Sequence, residues 1–235
     1  MFQGLFHNIS ETEKNSAIEG IIQHATPRKD FFLMLILSVS MATFGILLNS
    51  TVILIGSMLI APLLYPILSL ALGIIVADNK LIGRSVYTVI KSVFFSLTAG
   101  LVIGFLFSAH DGSVVTLAVA GMPFSPMYVV VAAISGFAAA FAVTKPHLNE
   151  TLPGVAISVA LVPPLAAAGI ALSLFDWALF SASFLLFVVN IIGIVFSSMV
   201  VFALLRFSVK KTVTKEAVKE EEKVIKKEEA VPPTA

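Results

Sequence analysis

Few residues in this chain are equipped for chemistry, and most of them sit in two proline-marked apolar stretches. The first is Gly56-Ser57-Met-Leu-Ile-Ala-Pro62-Leu-Leu-Tyr-Pro66, and the second is Gly154-Val-Ala-Ile-Ser158-Val-Ala-Leu-Val-Pro163-Pro164. Proline lacks an amide N–H and its ring clashes with the carbonyl one turn back, so each stretch predicts a helix broken at its prolines. In hydrocarbon the freed backbone groups need partners from protein or from a water-lined cavity. Interrupted segments in corresponding halves of a chain point to a transport site. The second half-helices are expected to start at Pro66 and Pro164, a favourable place for proline. Their N-termini would offer free amides and a partial positive charge to an anion.

Lys91 lies about two turns beyond Arg84 in an apolar run. It either snorkels back to the head groups or supplies charge to that site. Asn190 sits in an apolar run near the matching place, where an interhelical hydrogen bond is the commoner use and a ligand contact the rarer one. Ser57 and Ser158 flank the breaks and can cap freed carbonyls or donate to a solute. Cysteine is absent, which excludes disulfides, thiol catalysis and cysteine metal sites. No hydrolase elbow, zinc-protease helix or phosphate loop is present. The apolar runs contain no interior aspartate or glutamate, which argues against a proton- or sodium-coupled carrier and an intramembrane aspartyl protease. The expectation is therefore no enzyme, no cofactor, no metal and no nucleic-acid partner.

These residues must be held by helices in lipid. Hydrophobic residues make up 58% of the 235 and charged residues 12%, where a soluble domain is about half apolar and a quarter charged. Ser10-Glu-Thr-Glu13 is a capping box that predicts a short helix to about His24 in a cytosolic leader, residues 1–26. Thr26-Pro27 predicts the N-cap of span 1, which runs to about Leu48. Spans 2 to 6 are expected at 52–76, 82–107, 127–143, 154–174 and 177–206. The loop 108–126 holds an apolar piece, Val114 to Ala120, too short to cross. Asp176-Trp177 marks an interface. Arg28, Lys29, Lys80, Arg84, Lys145, Arg206, Lys210 and Lys211 all fall on one side of six spans, which places both termini in the cytosol of a cell (inner) membrane. Residues 207–235 form a lysine- and glutamate-rich tail, expected to be solvated and partly disordered; anionic head groups are the competing attraction. Gly100-Leu-Val-Ile-Gly104 suits close helix packing within the chain or in a homo-oligomer.

Shifted by about 98 residues, the chain partly registers on itself, as transporter repeats do. Gly56 meets Gly154, Leu63 meets Leu161, Pro66 meets Pro164, Asp78 meets Asp176, Leu81 meets Leu179 and Ser85 meets Ser183. Three spans per copy force the second copy to enter from the other side. The predicted fold is an all-α membrane protein of six transmembrane helices in two inverted three-helix repeats, 27–107 and 127–206, with helices 2 and 5 broken at prolines.

The two proline stretches also resemble the signatures of a prokaryotic group of uncharacterised membrane proteins, a hydrophobic domain of unknown function. The resemblance covers about residues 30–205 and implies a multi-span membrane protein without settled biochemistry. Tyr65 stands where that pattern has glycine.

The functional expectation is a transporter or channel-like protein for a small anionic or polar solute. Its site would lie between broken spans 2 and 5, formed by Gly56, Ser57, Pro62, Pro66, Lys91, Gly154, Ser158, Pro163, Pro164 and Asn190. The alternative is a scaffold or sensor that recruits cytosolic partners through its tail. A lipid-acting enzyme ranks third, because no acid, base and nucleophile set converges.

Overall fold

The computed structural model describes residues 10–107, 126–145, 153–207 and 210–230, with side chains described except at 126, 153–160 and 229–230. The short apolar piece expected at 114–120 lies outside these residues. All regular structure among the described residues is helical. Helix α1 (Glu11–His24) opens on the expected capping box: Glu13 N donates to Ser10 Oγ at 3.2 Å, and Ser10 N donates to Glu13 Oε2 at 2.7 Å. Ala17, Ile18, Ile21 and Ile22 recur at helical spacing and are buried, so the leader docks by one apolar face. There follow α2 (Lys29–Leu47), α3 (Thr51–Leu59), α4 (Leu64–Val76), α5 (Asn79–Phe107), α6 (Pro126–Val143), α7 (Pro153–Ser173), α8 (Trp177–Leu204) and α9 (Lys211–Ala230).

Helices α2, α5 and α8 are each long and apolar enough to cross a membrane, and α3 with α4 qualifies as one bent span. The fully described parts of α6 and α7, Met127–Val143 and Leu161–Ser173, are apolar but shorter. Val52, Phe94, Phe105, Met127, Ile192 and Phe196 stand on the outside, 61% to 81% exposed. Water would not tolerate such a belt; hydrocarbon does. This is the build of an all-helical membrane protein.

Close contacts set the helix directions. Gly100 of α5 meets Gly169 and Ala166 of α7, and one turn on Gly104 meets Ser173 and Ile170. The two helices therefore run parallel, in contact through small residues that let backbones approach. The Gly100–Gly104 pair is thus used inside the chain. Helices α2 and α5 are parallel as well, since Arg84 reaches Thr26 at one end and Phe44 meets Phe107 at the other. Gly136 of α6 abuts Ile194 of α8, Gly193 of α8 abuts Ala132 of α6, and Ser198 Oγ donates to the Gly136 carbonyl at 3.3 Å. One end of the bundle gathers Arg28, Lys80, Arg84, Arg206 and Lys210; the far end carries Asn49, Phe107, Phe175 and Trp177.

Two joints are built alike. Helix α4 ends on Ala77 at φ 52°, and α7 is followed by Phe175 at φ 55°. Asp78 N donates to Gly73 O at 3.0 Å, and Asp176 N donates to Ala171 O at 3.0 Å. Each aspartate then caps the next helix: Asp78 Oδ1 accepts from Leu81 N at 3.1 Å and Asp176 Oδ1 from Leu179 N at 2.9 Å. The left-handed residue lets the chain reverse while the last carbonyls stay bonded, and the carboxylate answers orphan amides. Each pair is separated by the spacing of the sequence repeat.

The two proline stretches fold differently. Span 2 breaks over 60–63 with a bend of 50°. Pro62 cannot donate to Met58 O, and the 3.4 Å bonds Ile60 N to Ser57 O and Ala61 N to Met58 O close the turn instead. Helix α4 starts at Leu64, so Pro66 is its third residue rather than its first. There its missing N–H would have had no helical partner anyway. The expected break in span 5 is not present: α7 continues through Pro163 and Pro164. Every residue from Leu161 to Ala171 is buried, and packing on all sides holds the helix. The proline pair still leaves the carbonyls of Val159 and Ala160 without their usual donors.

The cap of span 1 and the tail also differ from expectation. Helix α2 starts at Lys29 behind Arg28, which makes no side-chain cap. Thr26 Oγ1 instead donates to Ile22 O at 2.8 Å. Residues 211–230 form helix α9, which packs Thr214, Ala217 and Val218 inward and pairs Glu221 with Arg28 at 2.8 Å. Its apolar positions, separated by charged runs, form a face only once α1 is beside them.

Candidate functional site

A cavity of about 290 Å³ lies between the far ends of α2 and α3, the proline pair of α7 and the second turn of α8. Asn49, Ser50 and Thr51 form its outer wall, Pro163, Pro164 and Ala167 its inner wall, and Ser183 its side. No charged side chain is among its lining residues. Asn49 holds the left-handed conformation at φ 49°, which turns α2 back into α3, and Ser50 caps α3 through Ile53 N at 3.5 Å. The first turn of α3 faces the cavity through Thr51 and Leu54. Its leading amides have no partner within the helix and lend the site a partial positive potential.

Ser183 shares one property with Ser92 and Ser96 of α5, and of the three it alone lines this cavity. Its hydroxyl is buried and has no hydrogen-bond partner among the described residues. Buried polar atoms normally find one. The 98-residue register relates Ser183 to a bonded pair. In the first half, Ser85 Oγ donates to Ser69 Oγ at 2.9 Å. One repeat on, Ser85 becomes Ser183 and Ser69 becomes Ala167. At the later two positions one hydroxyl is kept and the other is absent, and both positions line the cavity.

The remaining candidate residues are placed as follows. Pro163 and Pro164 line the cavity. Gly154 and Ser158 fall in the first turns of α7, whose side chains lie outside those described. Gly56 is partly exposed, and a Cβ built there meets only Met41 Cε, at 4.0 Å. Ser57 is buried and fully engaged: its Oγ donates to Leu54 O at 2.6 Å and its carbonyl accepts from Ser38 Oγ at 2.7 Å. Pro62 and Pro66 shape the break at the inner end of α3. Lys91 places its ammonium 4.8 Å from the Phe32 ring centroid and 5.7 Å from that of Tyr87, a cation–π seat away from the cavity. Asn190 is buried on α8, about two turns beyond Ser183.

At the basic end, His24 of the leader rests on Tyr65, ring centroids 4.6 Å apart. Burial, and secondarily the nearby Arg28, lowers the imidazole pKa, with Glu221 opposing. Glu11 pairs with Lys210 at 2.5 Å and with Lys14 at 3.0 Å. Those two bonds, Lys210 first, lower its carboxyl pKa.

Residues 58–196 match the family described as Domain of unknown function (DUF389). The chain belongs to the DUF389 family. This member is also 33% identical over 180 residues to an uncharacterized protein of Methanocaldococcus jannaschii, covering 74% of this chain and 54% of that relative. The chain thus spans about half the length of the curated relative it matches. No solved structure matches it. The suspected family of uncharacterised membrane proteins is therefore the right one. What the motif reading of this DUF389 member passed over is Ser183, together with Asn49, Ser50 and Thr51. A signal for Ser183 was present: it registers with Ser85 in the repeat, while the partner of Ser85 does not.

Proposed function

We propose that this DUF389 member is a transporter or channel-like protein for a small anionic or polar solute, built as two inverted three-span repeats with both termini in the cytosol. The parallel sets α2, α5, α7 and α6, α8 fit six alternating crossings, with the bent α3–α4 pair as span 2. The matching joints at Asp78 and Asp176 fit the repeat. The basic end is then cytosolic, by the excess of lysine and arginine, and the cavity faces the other side. In this reading the solute site is the far cavity, beside spans 2 and 5, and of the candidate residues whose side chains are described only Pro163 and Pro164 line it. It is formed by the first half of span 2 and the proline pair of an unbroken span 5, with span 6 as its side wall.

The observation that carries this reading is the orphan hydroxyl of Ser183 in a cavity set among apolar helices. A polar group left dry and unpaired at that depth is costly; one that meets water or a solute is not. The competing scaffold reading relies on a free tail, and α9 has its apolar face on α1 and Glu221 on Arg28.

The test is flux into proteoliposomes of chloride, nitrate and acetate as anions, and of glycerol and urea as neutral solutes. Ala167→Ser restores the serine pair seen at Ser69 and Ser85. It is expected to engage Ser183 and lower flux by about threefold to tenfold, the worth of one hydrogen bond. Ser183→Leu removes the hydroxyl and narrows the cavity, and is expected to lower flux as well. Protein-free rates for all five probes, or equal flux in both variants and wild type, would sink the reading.

A further inference from the structure

The α7–α8 wall of the far cavity has a sequence counterpart in α4 and α5 at the basic end. One repeat back, Pro163 and Pro164 become Tyr65 and Pro66, Ala167 and Ser183 become Ser69 and Ser85, and Ala182 becomes Arg84. The wall of α4 and α5 that these residues form is in place, since Ser69 and Ser85 are bonded across it.

This half is not open. Residues 24–26, where the leader turns into span 1, sit on it. His24 covers Tyr65, and the buried Thr26 accepts a hydrogen bond from Arg84 Nη2 at 2.5 Å. The guanidinium is only partly satisfied: Arg84 Nη1 is buried without a partner among the described residues. Arginine presents a rigid fork that matches an oxyanion at two points. A lone threonine hydroxyl fills one of them.

We propose that the α4–α5 wall at the basic end is a second solute site that takes a small oxyanion on Arg84, and that residues 24–26 close it in this conformation. The proposal rests on the transport reading and deepens it. The far site carries no charge and stands open, the near site carries Arg84 and is plugged, and the solute passes inward when the leader lifts. The uncharged Thr26 hydroxyl occupies the place of an anionic oxygen on the same fork. A carboxylate and a sulfate share that chemistry.

The chain has no cysteine, so an introduced thiol reports access without background. Ser85→Cys and, separately, Thr88→Cys, a buried position one turn further along α5, are labelled in inside-out vesicles with a membrane-impermeant methanethiosulfonate. With the leader intact, labelling is expected to be slow. Adding Thr26→Ala removes a hydrogen bond to a charged group and should speed labelling about tenfold or more. Sulfate or acetate should then slow it again, and should not when Arg84→Gln is also present. Fast labelling at either thiol with the leader intact overturns the plug. Protection by anions that persists with Arg84→Gln overturns the assignment to Arg84. Thiol labelling needs no flux, so it judges the plug separately: absent flux with these labelling results would retire the transport reading and leave the closed anion site standing.

Discussion

Ser38 Oγ donates to the carbonyl of Ser57 at 2.7 Å, a shorter bond than the 3.4 Å one that the same carbonyl accepts from Ile60 N where the chain breaks between α3 and α4. A carbonyl held only by so long a bond is poorly satisfied in hydrocarbon. Ser57 turns its own hydroxyl back to Leu54 O, a local bond that a helix end can do without. Ser38→Ala is therefore expected to destabilise the protein by about 1–2 kcal/mol, and Ser57→Ala by less. Denaturation in mixed detergent micelles measures both, and equal losses would mean that the cross-helix bond has no special part. The same contrast between engaged and idle hydroxyls separates Ser85, bonded to Ser69, from Ser183. Residue type alone treats these serines as equals; only their neighbours divide them.

Among the elements, α5 and α7 depend on having nothing between them. A Cβ on Gly169 would come within 2.7 Å of Gly100 Cα and 3.0 Å of Gly100 C. Those are backbone atoms, so the helices themselves must part. Gly169→Ala is expected to cost about 1–3 kcal/mol, as overpacking does. Gly83→Ala, where nothing lies within 4 Å, should be neutral or stabilising by up to about 1 kcal/mol. Thermal unfolding of the two variants in detergent distinguishes them, and a Gly169 variant as stable as the Gly83 variant would refute the close contact. The proline stretches teach the same lesson. Proline at 62 ends a helix because α3 had few turns to lose. Proline at 163 and 164 does not, because α7 is enclosed over Leu161 to Ala171.

At the scale of the whole molecule, α1 and α9 form a layer over the basic end, joined by Glu11 to Lys210 and by Arg28 to Glu221. Two titrations act on it in the same direction. His24 has a lowered pKa in the fold, so the unfolded chain takes up that proton first. Its contribution is present above the ordinary value of 6.5 and is lost as pH falls below it. Glu11 also has a lowered pKa, so its contribution is present above the ordinary 4.5 and is lost as pH falls through the lowered value. Protection of amides in α1 and α9, taken relative to the intrinsic exchange rate at each pH, should therefore fall in two steps on acidification, while α5 and α8 stay protected. His24→Gln should remove the upper step alone. Protection in α1 that is flat from pH 8 to pH 5 would contradict this account.

Composition and local spacing control the part of this protein that can be read along the chain. Apolar runs long enough for lipid made this a membrane protein, and paired proline motifs marked its family. The capping box of α1, the break at Pro62 and the turns at Asp78 and Asp176 follow from residues within a few positions of one another, so they were legible in order along the chain. Tertiary structure decided the rest. Whether a proline breaks a helix depends on what encloses it. Whether a serine is idle depends on the residue opposite, here Ala167 in place of a serine. Whether a charged tail is a helix depends on α1 being there to receive it. Each is a contact between segments far apart in the chain, and no local pattern carries that information.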